Sequence, residues 1–288
     1  MIAGLDKRGA IAGTAAIVGA AAVLLVLGAA RSGAAADRLT GSLNVQLPAA
    51  ASDHIYAAPG TAGRPIVVID AGHGGSDPGA VSVSGQVSEK QLTLALAGEL
   101  RDLLVQRGRV RVAMTRTDDR YLTLEDRAAI ARRLGAGLFV SLHMDSAPNP
   151  LARGASIYSL SDVASDAEAA RFAAAQNRGT VAVVEDGSAR ALLSDLAMRD
   201  QMDASAAFAT RLVGKSAGRF GLRPEPHRFA AFHVLRRAGT PAVLFEAGYI
   251  SNADDELLLR DPKHRSAIAL SLAQAIETDV AARVRAQS

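Results

Sequence analysis

Three short apolar runs, Ile66-Val67-Val68-Ile69, Leu138-Phe139-Val140-Ser141-Leu142 and Ala242-Val243-Leu244-Phe245, each end abruptly in a polar cluster. Runs of this length without polar alternation are what strands look like when both faces are buried. They commit the chain to a sheet covered on two sides. Between them lie helical patterns. Ser88 with Gln91 spells a capping box, Leu92, Leu96, Leu100, Leu103 and Leu104 repeat at helical spacing, and Gly108 ends the segment. Thr123 caps a second helix that runs to about Leu134 and stops at Gly135. Residues 110–115, 155–160 and 232–235 read as further strands, and helices are expected near 203–220 and 262–284. Strands alternating with amphipathic helices predict an α/β domain with a mostly parallel sheet. Residues 161–203 interrupt the alternation with an Ala-rich helical piece at 164–175, and read as an inserted helical segment rather than a second domain.

The N-terminus carries a different message. Residues 9–30 hold no charged side chain and follow Lys7 and Arg8. About 20 apolar residues cross a bilayer core, and basic residues in front keep the N-terminus in the cytoplasm. The chain is therefore expected to be exported to the periplasm, with residues 1–36 serving as a cleaved signal peptide or as an inner-membrane anchor. The small residues Ala34-Ala35-Ala36 favour cleavage, and the length of the apolar run favours an anchor. Residues 37–64, rich in Ala, Gly, Ser, Thr and Pro, read as a linker, which leaves 65–288 as the functional domain.

Composition closes off several classes. The charged fraction of 21% and hydrophobic fraction of 49% fit neither a disordered chain nor a polytopic membrane protein. The pI of about 9.5 suggests nucleic acid, but beyond residue 64 there are 27 bases against 26 acids and no basic stripe. Nucleic acid is not expected as a partner. There is no Cys, so disulfides, thiolate catalysis and Cys-ligated metals are out.

Ligands of open α/β sheets bind beyond the carboxyl ends of the strands. The first run leads into Asp70-Ala71-Gly72-His73-Gly74-Gly75, the second into His143-Met144-Asp145, and the third into Glu246-Ala247-Gly248. Glu89 opens the helix after the His73 loop. Taken singly, each residue has an ordinary reading: a hydrogen-bonded surface His, a first-turn Glu favoured by the helix dipole, a loop acid, a glycine turn or phosphate cradle. Together they supply more. Catalytic zinc sites use three N or O ligands and keep a position for water. His73, Glu89 and His143 provide that set, and Glu246 would then act as general base on the activated water.

The segments Asp70-Ala71-Gly72-His73-Gly74-Gly75-Ser76-Asp77-Pro78-Gly79-Ala80, Ser88-Glu89-Lys90, Thr115-Arg116 with Arg127, Ser141-Leu142-His143-Met144-Asp145, and Phe245-Glu246-Ala247-Gly248-Tyr249-Ile250-Ser251-Asn252 resemble the zinc-dependent N-acetylmuramoyl-L-alanine amidases of the AmiA/AmiB/AmiC type. The resemblance covers roughly residues 65–284. It implies a single sheet of about six strands with helices on both faces, and hydrolysis of the amide between N-acetylmuramic acid and L-alanine in peptidoglycan, for wall remodelling or daughter-cell separation. It implies zinc bound by His73, Glu89 and His143, with Glu246 as catalytic acid/base. Asp70 and Asp145 are candidate acceptors that orient the imidazoles, or else plain loop acids. The 161–203 insertion lies where cell-division relatives carry a segment that occludes the zinc. Glu185 or Asp186 would be the occluding carboxylate, and a protein activator would follow; the alternative is a surface excursion. Met144 stands where a small residue is expected, which would narrow the site. Two other readings compete: another zinc hydrolase, such as a peptidase or deacetylase, and a membrane-tethered wall-binding protein with a dead site.

Overall fold

The computed structural model describes residues 53–178 and 189–287. Seven strands form one mixed, mostly parallel sheet: β1 (Ile55–Tyr56), β2 (Ile66–Ala71), β3 (Arg111–Met114), β4 (Leu138–Asp145), β5 (Ala155–Leu160), β6 (Leu222–Ala230) and β7 (Ala242–Tyr249), in the order β1-β3-β2-β4-β7-β5-β6. The pairs β2–β3, β2–β4, β4–β7 and β5–β6 are parallel, while β1–β3 and β5–β7 are antiparallel. Among the described residues seven helices accompany them: α1 (Glu89–Arg107), α2 (Leu124–Arg133), α3 (Ala167–Gln176), α4 (Ala189–Ser216), α5 (His233–Arg237), α6 (Ala253–Arg260) and α7 (Pro262–Gln287).

Both sheet faces are covered, as the unbroken apolar strands require. Val67, Ile69, Val140, Leu142, Val243 and Phe245 point to one side and pack with Leu96 and Leu100 of α1, Phe208 and Leu212 of α4, and Leu272 and Ile276 of α7. Val68, Phe139, Leu244 and Tyr158 point to the other and pack with Ile130 of α2, Ala169 of α3 and Leu235 of α5. The helix stops act as their sequence predicts: Gln91 accepts from the Ser88 amide at 2.9 Å, Thr123 Oγ1 accepts from the Asp126 amide at 3.1 Å, and Gly108 ends α1 in the left-handed region at φ 63°.

Several elements differ from the sequence reading: α6 has no counterpart there, and α4 begins at Ala189 rather than near 203. Residues 232–235 form no strand: Phe232 precedes the short helix α5, and its ring is buried against Tyr158 and Phe172. The strand is β6 instead, whose Pro224 and Pro226 disguise it. It pairs only with β5 at the sheet edge, where missing N–H donors cost no ladder bond. Ile55–Tyr56, inside the stretch read as linker, adds an edge strand on β3. No helix among the described residues is long and apolar enough to cross a membrane. The 9–30 run lies outside them.

From β2 the chain crosses to β3 on one side and then to β4 on the other. This reversal opens a crevice at the carboxyl ends of β2 and β4, the place where open α/β sheets hold ligands. β7 lies beside β4, so all three polar clusters meet at this edge.

Candidate metal centre

The loop after β2 is shaped by close approach. The Gly72 amide donates to Leu142 O at 3.0 Å, and a Cβ on Gly72 would stand 2.5 Å from the His143 ring. A Cβ on Gly79 would stand 2.5 Å from Glu89 Oε2 and 2.7 Å from His73 Cδ2. Side chains at either position would fill the space where the polar groups converge. Between them His73 adopts φ 59°, a left-handed conformation that non-glycine residues rarely take. Buried arginines hold it there. Arg127 donates to His73 O at 2.7 Å and Ala71 O at 2.8 Å, and Arg116 donates to Ala71 O at 2.9 Å and Gly72 O at 2.8 Å.

Glu89 is the first residue of α1 and is buried. Its Oε2 accepts from the Ala80 amide at 2.9 Å, and its Oε1 accepts from the Met144 amide at 3.0 Å and lies 2.9 Å from His143 Nδ1. His73 Nε2 sits 3.1 Å from the same oxygen without the geometry of a hydrogen bond. The two imidazoles meet edge to face with ring centroids 4.9 Å apart. One ligand atom from each of His73, Glu89 and His143 falls within 4.8 Å of the others. Glu246 completes the cluster. It pairs in register with His143 on one side and Ser156 on the other, so the three residues form a row on one face. Glu246 is fully buried, and neither carboxylate oxygen has a hydrogen-bond partner among the described residues.

The electrostatics follow from this crowding. Burial works against a charged His73, but the hydrogen bond to Asp77 and the nearby charges of Asp77 and Glu89 outweigh it and raise its pKa to about 9. Burial opposes ionisation of Glu89, yet the two histidines hold its carboxyl well below the usual range. Burial lowers His143. Burial, reinforced by the charges of Asp145 and Glu89, pushes Glu246 well above an ordinary carboxyl. A carboxylate and two imidazoles drawn this close call for a positive charge among them. The donor set is entirely N and O, and His73 Nε2 is buried without a hydrogen-bond partner among the described residues, so the residues fit a divalent metal such as zinc.

The structure assigns the supporting acids differently from their order in sequence. Asp70 touches neither imidazole. Its oxygens accept from Thr115 Oγ1 at 2.7 Å, Ser141 Oγ at 2.6 Å and Arg127 at 2.7 Å, which leaves it anchoring the arginine that holds the His73 backbone. Asp145 also makes no contact with an imidazole: it accepts from the Ser146 amide at 2.7 Å and faces Tyr249, and burial raises its pKa to about 6. The residue that orients an imidazole is Asp77, whose Oδ2 lies 2.8 Å from His73 Nδ1 while Oδ1 accepts from the Gly79 amide at 3.1 Å. With Nδ1–H held by Asp77, Nε2 faces inward, and a bound metal that displaces its proton would meet the lone pair there. The spacing His73-Gly74-Gly75-Ser76-Asp77 holds this signal, but only a tight turn makes it readable: the Gly74 amide donates to Asp77 O at 2.8 Å. An Asp77→Ala variant is expected to lose about 10–100-fold in metal affinity or activity, measured by zinc titration; unchanged affinity would refute the orienting role.

Met144 does not narrow the site. Only its amide reaches Glu89, and its side chain is buried in the apolar cluster on the opposite sheet face. Of the remaining histidines, His227 Nε2 lies 2.9 Å from Ser159 Oγ, and His54 and His264 pack against Tyr56 and Phe220. Glu185 and Asp186 lie outside the described residues.

An open α/β sheet whose carboxyl edge gathers two imidazoles, a carboxylate between them and a second carboxylate of raised pKa is the build of a hydrolase that works with a bound metal. The Amidase_3 family model, described as N-acetylmuramoyl-L-alanine amidase, matches residues 67–278. The N-acetylmuramoyl-L-alanine amidase AmiA of Escherichia coli K12 is 35% identical over 220 residues, which is 74% of this chain and 75% of that protein. AmiC of Neisseria meningitidis is 33% identical over 219 residues, covering 74% of this chain and 52% of that one. Among solved structures, the catalytic domain of the amidase CwlV from Paenibacillus polymyxa superposes with a TM-score of 0.52 at 30% identity, over 74% of this chain and 96% of the other. The chain belongs to the Amidase_3 family and is an N-acetylmuramoyl-L-alanine amidase, an enzyme that hydrolyses the MurNAc–L-Ala amide of peptidoglycan.

Proposed function

We propose that zinc is the ion this enzyme uses, held by His73, Glu89 and His143, and that Glu246 is the acid/base of the hydrolysis. The observation that carries the second assignment is the position of Glu246: in register with His143, fully buried, and with both oxygens free of partners among the described residues. A bound zinc ion would supply a Lewis acid for the scissile carbonyl and lower the pKa of water. The chain's own residues do the rest. Glu246 in its ionised form accepts a proton from the attacking water at a carboxylate oxygen. Its raised pKa makes it a strong enough base for this and lets it hold the proton until the C–N bond breaks. It then delivers that proton to the departing L-alanine nitrogen and returns to its starting state. Asp77 keeps His73 in one tautomer, and Arg127 and Arg116 keep its loop in place.

The substrate lies outside the cytoplasmic membrane, and the uncharged 9–30 segment behind Lys7 and Arg8 supports export, as a cleaved signal or an inner-membrane anchor. Purified sacculi incubated with the enzyme should release peptides that begin with L-alanine, identified by mass spectrometry. A chelator should abolish the release, and zinc should restore it. Peptides with other N-termini would mark a peptidase, and acetate release a deacetylase.

A further inference from the structure

A groove of about 570 Å³ opens on the edge of the sheet that carries His143 and Glu246. Its position follows from topology. β5 runs antiparallel to β7 and so begins where β7 ends, and β6, parallel to β5, begins there too. The groove lies among the loop that leaves β4, the residues before β5, the start of β6 and α3. Its walls carry Arg153, Arg171 and Arg223 against one acid, Glu168. That acid is already engaged: Arg223 holds both oxygens at 3.0 Å, and Arg228 approaches one at 3.3 Å. Arg153 reaches Asp254 at 3.2 Å with both side chains more than half exposed, a contact of about 0–1 kcal/mol. Arg171 is exposed and makes no ion pair with any described residue. Positive charge is therefore in excess, and two of the guanidinium groups can be recruited by a ligand.

Size and reach select the ligand. The cavity bordered by His73, Tyr121 and His143 measures about 110 Å³. The arginine-lined groove is the larger space. Ala147, on its wall, is four residues past His143, and four residues of extended chain span at most about 14 Å. An extended tetrapeptide has the same length, so a peptide attached at the scissile amide can reach the groove. Any peptide not cross-linked at its end carries a terminal carboxylate there.

We propose that this groove seats the peptide part of the substrate as an acidic peptide, with Arg171 and Arg153 drawing in its carboxylates and Arg223 forming a fixed wall. The inference rests on the amidase reading and adds the side of the site on which the peptide lies.

The test uses the double variant Arg153→Glu/Arg171→Glu, two exposed positions on the groove rim. Muropeptides with free carboxylates and with carboxylates converted to amides are compared as substrates of the zinc-loaded enzyme. On the acidic substrate the variant should show a KM raised about fivefold to tenfold with kcat nearly constant, since rim charges act on encounter and salt dependence. The amidated substrate should show no such rise. In parallel, an acidic tetrapeptide and its amidated form are titrated into both proteins by NMR, which needs no catalysis. Parent protein should prefer the acidic peptide and the variant should lose that preference. Equal KM changes on the two substrates, or equal binding of the two peptides by the parent, overturn the proposal. If the parent releases no L-alanine-terminated peptide from sacculi, the amidase reading falls, while the titration still decides what the groove binds.

Discussion

Glu246→Gln is expected to give a folded protein that still binds zinc but releases stem peptides about 10²–10⁴-fold more slowly, the range lost when a positioned acid/base is removed. The substitution preserves shape and removes only the proton-accepting carboxylate. Stability is not expected to suffer. Burial and the charges of Asp145 and Glu89 already favour the neutral carboxyl of Glu246, and with its native pKa raised, the parent loses stability as pH climbs from the ordinary carboxyl range toward that value. The amide carries no such penalty. The thermal midpoint of the zinc-free variant at neutral pH should therefore equal or exceed that of the zinc-free parent, and zinc content after loading should match the parent's. A variant with normal turnover would assign the proton transfer elsewhere. A variant that fails to fold would contradict the reading of Glu246 as a group without structural partners.

Arg127→Ala has the largest effect expected on stability. Arg127 and Asp70 are both buried and 2.7 Å apart, and Arg127 also donates to Ala71 O, His73 O and Leu122 O. Removing one partner of a buried pair leaves an uncompensated charge and costs about 3–5 kcal/mol. Here it also strips the carbonyl support from a residue held at φ 59°. Unfolding by urea should show the loss directly, and zinc affinity should fall with it because His73 no longer has a reason to hold its conformation. Arg127→Lys is expected to recover only part of either property, since an ammonium cannot span Asp70 and the carbonyls together. A stability change below about 1 kcal/mol would place this pair among weak surface contacts, against its burial.

Much of the candidate site is legible in the sequence. His143 and Glu246 each directly follow an apolar run, His73 stands four residues past one in the glycine-rich turn that closes it, and Glu89 stands one residue after a helix cap. These are local patterns: burial of a strand on both faces and satisfaction of a helix's first amides leave direct marks on neighbouring residues. Other features left no such mark. Whether Asp70 or Asp77 supports an imidazole depends on Arg127, 57 residues from Asp70, and on a turn that folds Asp77 back beneath His73. Met144 looked like a site residue because it follows His143, but the pleat sends alternate side chains to opposite faces. β6 was hidden because its prolines are tolerated only at an edge, and being an edge strand is a property of the whole sheet.

By itself, then, the sequence determined the alternation of strands and helices, the order of the ligand-bearing turns, and the exclusion of cysteine chemistry, because each is written in adjacent residues. Only the tertiary structure decided that β2, β4 and β7 lie side by side, that Glu246 shares a row with His143 and Ser156, and that an arginine-rich groove opens beyond Asp145. Strand order and register come from long-range pairing between segments as much as a hundred residues apart, and no local pattern encodes which partner a buried strand will take.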